Sequence, residues 1–250
     1  MRHLPRGLSA GIQRGGEALT TGSGAAEKMK EVWLVIDGRK ISAPEGEKVL
    51  WAALDNGIYI PHLCAIREAE EPQASCRLCF VEVEGYPRPV TACTEPVREG
   101  MIVHTKGPQA LRLARTSLEL LLSSHPVDCA HCPANRSCEL QRIAQHLKVK
   151  LTSKRFRRLP REFPADTSSP LFIYDPNKCV LCGQCVWVCQ KLGTGVLGFA
   201  YRGFQRRVTT FGDEPLGSSA CAECGECVRA CPVGALSFKQ SAGSMRPPNP

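Results

Sequence analysis

Cys179-Val-Leu-Cys182-Gly-Gln-Cys185-Val-Trp-Val-Cys189 and, about 42 residues on, Cys221-Ala-Glu-Cys224-Gly-Glu-Cys227-Val-Arg-Ala-Cys231-Pro232 decide the fold of this chain. They are two copies of one pattern, three cysteines at two-residue gaps and a fourth after three more. The tight gaps let a loop wrap one corner of a cubane with its N–H groups turned toward the sulfurs. Gly183 and Gly225 sit inside those loops, where a positive φ is cheap. The fourth cysteine of each copy points away and serves the other cluster. One [4Fe–4S] site is therefore expected from Cys179, Cys182, Cys185 and Cys231, and a second from Cys189, Cys221, Cys224 and Cys227. A pair of zinc sites is the competing reading, but zinc knuckles do not normally use four cysteines at these gaps. Gln190 stands where the motif often has proline and touches no ligand.

Working outward, two further ligand sets precede the repeat. His125-x3-Cys129-x2-Cys132-x5-Cys138 offers one imidazole and three thiols, a set that suits either zinc or a cluster on spacing alone. His131, inside this loop, is a rival ligand that is expected to face solvent. Cys64-x11-Cys76-x2-Cys79-x13-Cys93 follows the plant-type ferredoxin order with a longer first gap, and suits a [2Fe–2S] rhomb. A zinc ribbon is its rival, and would normally show a second C-x-x-C. His3, His62, His104 and His146 have no cysteine-rich surroundings. The sets together use all 15 cysteines and one histidine, sixteen ligands for four sites, with no thiol left for nucleophilic chemistry.

Composition agrees with metal binding. An odd number of cysteines in C-x-x-C groups, with no secretory signal before them, reads as a metal-binding rather than a disulfide framework. Aromatic residues make up only 6% of the 250, so clusters are expected to staple small, mostly aliphatic domains. The formal net charge is +8. Loading four clusters adds about −7, at about −2 per all-cysteine site and about −1 for the mixed one. The basic excess is then mainly internal compensation, with acidic partner surfaces as the second reading and nucleic acid the third. No apolar run reaches membrane-spanning length, so no membrane insertion is expected.

The expected organisation is α+β in pieces. Residues 1–28 read as a disordered extension, or coding upstream of a start at Met29, with a transit peptide as the rival. Residues 29–107 read as a [2Fe–2S] domain. Glu31–Ile36 is β-rich, Asp37-Gly38 signals a two-residue hairpin, Glu47–Asn56 has helical period with Gly57 as C-cap, and short strands follow at 79–84, 89–92 and 101–105. Residues 108–150 read as a small helical module. A helix over 108–123 presents Leu111, Leu113, Ala114, Leu118, Leu121 and Leu122, and a second helix runs from Glu139 to Val149. Residues 151–169 read as an extended basic linker, 170–241 as the two-cluster module, and 242–250 as a tail. Gly193-Thr-Gly-Val-Leu-Gly198 matches G-x-G-x-x-G but follows a cysteine segment with no βαβ unit around it, so it is not read as a nucleotide site.

The order of these sets carries a resemblance. A β-grasp [2Fe–2S] domain, a small helical [4Fe–4S] module with one histidine and three cysteine ligands, and a bacterial-type 2×[4Fe–4S] ferredoxin domain resemble the N-terminal part of the large iron–sulfur subunit of complex I. They also resemble the leading regions of iron-only hydrogenases and NAD-linked formate dehydrogenases, and the free-standing diaphorase iron–sulfur subunit of NAD-linked bidirectional hydrogenase. The stretches that carry it are Ile60-Pro-His-Leu-Cys64, Ser123-Ser-His-Pro-Val-Asp-Cys129, Ser137-Cys-Glu-Leu-Gln141, Asn177-Lys-Cys-Val-Leu-Cys182 and Cys231-Pro-Val-Gly-Ala-Leu236. Two complete cubane motifs favour the hydrogenase and formate dehydrogenase branch over complex I. The resemblance implies one [2Fe–2S] and three [4Fe–4S] clusters, the third held by His125, Cys129, Cys132 and Cys138. It implies a non-catalytic, cytoplasmic electron relay between a flavin/NAD(P)-binding subunit and a catalytic hydrogenase or formate dehydrogenase subunit. No residues after the repeat are expected to hold a catalytic group, and no nucleic-acid partner is expected. A free-standing multi-cluster carrier is the alternative.

Overall fold

The computed structural model describes residues 30–152 and 154–239, and the statements below concern those residues. The expectations for residues 1–28 and for the tail lie outside them. Val32, Leu34 and Ile36 alternate with outward residues along β1 (Glu31–Ile36) and are fully buried. β2 (Arg39–Pro44) pairs with it antiparallel, from Glu31 opposite Pro44 to Ile36 opposite Arg39. Asp37 and Gly38 both take positive φ, as the two-residue turn requires. β3 (Phe80–Val83), β4 (Val90–Thr91) and β5 (Ile102–His104) complete a five-stranded sheet in the order β2-β1-β5-β3-β4. β1 and β5 run parallel and the other pairs antiparallel.

α1 (Val49–Asp55) places Val49, Leu50, Ala52 and Ala53 in the same core as β1. The helix is shorter than the 47–56 expected from periodicity. Lys48 is extended and bridges Pro96 across the domain, so tertiary pairing sets the helix start.

α2 (Pro108–Ser124) begins where Glu82, at the end of β3, accepts from the N–H groups of Gln109 at 2.8 Å and Ala110 at 3.0 Å. A carboxylate from another element thus caps a helix whose own N-cap, Gly107, has no side chain. The buried seam is Ala110, Ala114, Leu118 and Leu122, narrower than the broad face expected. Leu111 and Leu121 flank it and Leu113 is half-buried. α3 (Glu139–Leu147) buries Leu140, Ile143, Ala144 and Leu147 against that seam and ends on Lys148 in the left-handed conformation.

Residues 154–169 contain no helix or strand, yet they are tied down along their length. Arg155 pairs with Glu119 at 2.8 Å. The Leu159 N–H donates to the Ser123 carbonyl at 2.8 Å. Phe163 exchanges hydrogen bonds with the Asn177 side chain at 2.9 and 2.8 Å. Asp166 and Tyr174 exchange backbone hydrogen bonds. The segment is a strap joining the helical module to the C-terminal one.

The C-terminal module shows the repeat as structure. β6 (Phe172–Tyr174) leads into the first cysteine loop and α4 (Gln184–Lys191). The second loop leads into α5 (Glu226–Ala230) and β9 (Leu236–Phe238), which pairs antiparallel with β6. Gly183 and Gly225 open the two helices at φ +79° and +74°. Between the copies, β7 (Gly198–Ala200) and β8 (Arg207–Thr209) form an antiparallel hairpin. Gly198, the last glycine of the G-x-G-x-x-G match, opens β7 in that hairpin.

Candidate metal centres

The four cysteines of the N-terminal domain are buried and lie on loops around the sheet. Cys64 and Cys76 hydrogen-bond, which pulls Cys64 below an ordinary thiol and pushes Cys76 well above one. Cys79 and Cys93 make the same kind of pair, with Cys79 pushed up and Cys93 down. The pairs also feel each other, Cys76 with Cys79 and Cys64 with Cys93, so the four thiols form one group.

His125 follows the last turn of α2, and Cys138 immediately precedes α3. His125, Cys129, Cys132 and Cys138 line one small cavity of about 20 Å³. Burial lowers the His125 imidazole to about 4, aided by the positive charges of Arg161, Arg158 and Lys178. The ring is therefore neutral near pH 7, and its Nδ1 is buried with no hydrogen-bond partner. Burial raises Cys138, with Cys132 and Cys129 adding to the effect. His131 is exposed and bonded to Asp128 at 2.9 Å, turned to solvent as expected.

In the C-terminal module the fourth cysteines cross over. Cys185 is pushed well up by burial and by Cys179, Cys182 and Cys231, which groups it with the second copy's last cysteine. Burial raises Cys179 to about 11 and Cys182 to about 12, and Cys231 adds to both. Cys227, at about 12, is raised by burial and then by Cys221, Cys224 and Cys189. Cys189, Cys221, Cys224 and Cys227 also line one cavity of about 20 Å³. The backbone turns donors toward these sulfurs, as in Leu181 N–H to Cys179 Sγ at 3.4 Å. The Cys189 sulfur meets the Thr194 hydroxyl at 3.1 Å.

These sites adjoin one another. Cys182 feels the charge of Cys64, and Gln184 Nε2 donates to the Leu63 carbonyl at 2.5 Å, joining the first cubane loop to the N-terminal domain. Cys185 feels Cys227 in the neighbouring group. A Cβ on Gly234 would lie 2.5 Å from Cys132 Sγ, so that glycine lets the Pro232–Ala235 turn pack against the helical module. The group of Cys179, Cys182, Cys185 and Cys231 is thus a junction with the other three around it, not one point in a line.

The donor sets fit iron–sulfur clusters. Apart from Cys64 and Cys93, the crowded thiols whose ionisation is shifted resist it, and a group that brings iron among them reverses that cost. A neutral imidazole with an unpartnered ring nitrogen would complete the one set that lacks a fourth thiol. Among the described residues no three His, Cys, Asp or Glu side chains converge on a point suited to a single ion. Gln184, Arg161, Thr194 and Gly234 escaped sequence reading, because each acts across the fold and no spacing rule marks it.

Three family models match in series. They are the 2Fe-2S iron-sulfur cluster binding domain over residues 29–108, the NADH-ubiquinone oxidoreductase-G iron-sulfur binding region over 115–152, and the 4Fe-4S dicluster domain over 178–235. A chain in the crystal structure of NAD+-reducing [NiFe]-hydrogenase in the H2-reduced state is 35% identical, with a TM-score of 0.77. The match covers 86% of this chain and 90% of that one. Among curated proteins, NADP-reducing hydrogenase subunit HndD of Solidesulfovibrio fructosivorans is 37% identical over 83% of this chain and 36% of its own length. The mitochondrial NADH-ubiquinone oxidoreductase 78 kDa subunit of Neurospora crassa is 33% identical over 90% of this chain and 30% of its own. The chain therefore spans about a third of the length of these curated relatives.

Proposed function

The chain belongs to the iron–sulfur family that links a chain of NAD+-reducing [NiFe]-hydrogenase with the 78 kDa subunit of NADH-ubiquinone oxidoreductase, and from that membership we propose that it is an electron-relay subunit. Its partners in this reading are a flavin/NAD(P)-binding iron–sulfur subunit and a catalytic hydrogenase or formate dehydrogenase subunit, in the cytoplasm. Among the described residues no helix is long and apolar enough to cross a membrane.

The observation that carries the reading is the adjacency of the thiol groups. Cys182 lies near Cys64 and Cys185 near Cys227, while Cys224 stands exposed at the edge of its group. Bound clusters supply reversible one-electron chemistry. The chain's own residues hold, orient and enclose them.

Cys64, Cys76, Cys79 and Cys93 are proposed to hold a [2Fe–2S] cluster in a β-grasp domain of residues 29–107. His125, Cys129, Cys132 and Cys138 would hold a [4Fe–4S] cluster in the helical module of residues 108–150. Cys179, Cys182, Cys185 and Cys231, and Cys189, Cys221, Cys224 and Cys227, would hold two more in a bacterial-type ferredoxin domain of residues 170–241. A neutral imidazole in place of a thiolate raises the potential of the His125 site relative to an all-cysteine one. The exposed edge at Cys224 suits exchange with another protein.

Two preparations test the reading: iron, sulfide and zinc analysis of this chain purified anaerobically by itself, and identification of the proteins that co-purify with it in the native complex. About 14 irons per chain and a co-purifying flavoprotein are expected. Stoichiometric zinc would sink at least one ligand set, and a monomer without a flavoprotein would favour a free-standing carrier.

A further inference from the structure

Arg161 lies on the strap, within a run that reads from sequence as a solvated linker. Its Nη2 donates to the backbone carbonyl of Cys179 and, at 3.4 Å, to that of Asn177. Its Nε is buried with no hydrogen-bond partner. It lines a cavity of about 100 Å³ together with His125, Cys179, Leu181 and Phe204. The guanidinium therefore stands between the His125 site and the first cysteine loop, and its charge is felt at both His125 and Cys179.

Other cations nearby have carboxylates. Arg155 pairs with Glu119 at 2.8 Å, Arg207 with Asp213 at 2.9 Å and Lys178 with Asp175 at 3.1 Å. Arg158 bonds the His125 carbonyl at 2.9 Å but is exposed, where water screens it. Among the described residues no carboxylate forms an ion pair with Arg161. A partly buried guanidinium without a counter-charge is costly.

We propose that the clusters on either side supply that counter-charge, and that Arg161 is a positioning residue that sets their reduction potentials. The clusters are those assigned to His125, Cys129, Cys132 and Cys138 and to Cys179, Cys182, Cys185 and Cys231, so the inference rests on the ligand sets proposed above. Each cluster gains one negative charge on reduction. A fixed cation beside it stabilises the reduced form more than the oxidised form and raises the potential. The fork to the Cys179 and Asn177 carbonyls holds the charge in place.

The test is a redox titration followed by electron paramagnetic resonance on the full chain, purified anaerobically with its clusters. Arg161→Gln is expected to shift two [4Fe–4S] components to lower potential while the [2Fe–2S] component stays put as internal reference. Arg161→Lys, which keeps the charge, is expected to hold both near their original potentials. Arg158→Gln is expected to shift them less than Arg161→Gln. Unmoved [4Fe–4S] potentials in Arg161→Gln would overturn the proposal, as would a fall of all components alike or equal falls in the Gln and Lys variants. If Arg161→Gln does not load iron, Arg161→Met removes the charge instead and is read by the same criteria against Arg161→Lys. Absence of cluster signals from the unmodified chain would refute the ligand sets themselves, a result distinct from any of these.

Discussion

Behind β1 the core includes Val32, Leu34, Ile36, Val49, Leu50, Val81 and Val103, with Cys79 and Cys93 buried among them. Around α4 and α5 the buried cysteines Cys179, Cys182, Cys185, Cys227 and Cys231 are interleaved with Val186, Leu197, Leu216, Val228, Val233 and Leu236. The first region buries a continuous aliphatic layer between a sheet and a helix. The second mixes sulfur with its aliphatic side chains, and its regular elements are helices of 8 and 5 residues and strands of 3. Hydrophobic burial sustains one; the other depends on what its thiols bind. Cys79 and Cys93 are buried in the sheet domain's own core, whereas Cys64 and Cys76 share the second core with Cys179, Cys182 and Cys185.

Removing iron should expose this difference most. Chelation under reducing conditions is expected to strip amide-exchange protection from residues 170–239 while β1, β2 and α1 keep theirs. Hydrogen exchange read by mass spectrometry checks it, and equal loss in both regions would break the comparison. The reverse perturbation is smaller. Leu34→Ala empties a fully buried site and should cost about 2–5 kcal/mol in the N-terminal domain. Its [2Fe–2S] signal should weaken in a denaturant series before the [4Fe–4S] signals change. Simultaneous loss of all signals would mean that the regions share one cooperative unit.

The seam between the N-terminal domain and the helical module gives the smallest effect. His146 on α3 meets Tyr59 edge-on at 4.8 Å between ring centroids. Burial, then Lys106 and Arg142, lowers His146 below its ordinary 6.5. The unfolded chain thus takes up the proton more readily than the folded one. This contribution is present above about pH 6.5 and fades as pH falls through the lowered value. For so exposed a ring it amounts to less than about 1 kcal/mol. Denaturant midpoints of the loaded chain across that window should fall with acid, and less steeply in His146→Gln.

Legibility followed the same division. Features with a local signature were readable: the Asp37-Gly38 hairpin, the apolar repeat of α2, the paired cysteine loops and the solvent-facing His131. Spacing also leads to the proposal that Cys231 serves the first loop and Cys189 the second, a reading supported by the charge of Cys231 at Cys179, Cys182 and Cys185 and by the cavity that Cys189 shares with Cys221, Cys224 and Cys227. Features made by distant parts of the chain were not readable. Nothing near Lys48 announces that Pro96 will hold it extended. Nothing in a basic run from 154 to 161 says that Arg155 finds Glu119 while Arg161 turns inward. Gly234 looks like an ordinary turn residue until Cys132 is set against it.

The proposed exchange of Cys189 and Cys231 between the two ligand sets has a consequence in time. As the chain leaves the ribosome, Cys179, Cys182 and Cys185 appear first and lack a fourth companion. Cys189 follows and waits for Cys221, Cys224 and Cys227. The second quartet is complete at residue 227 and the first only at 231, within one helical turn of each other. A nascent chain stopped between 189 and 221 owns half the thiols of this module and no finished quartet.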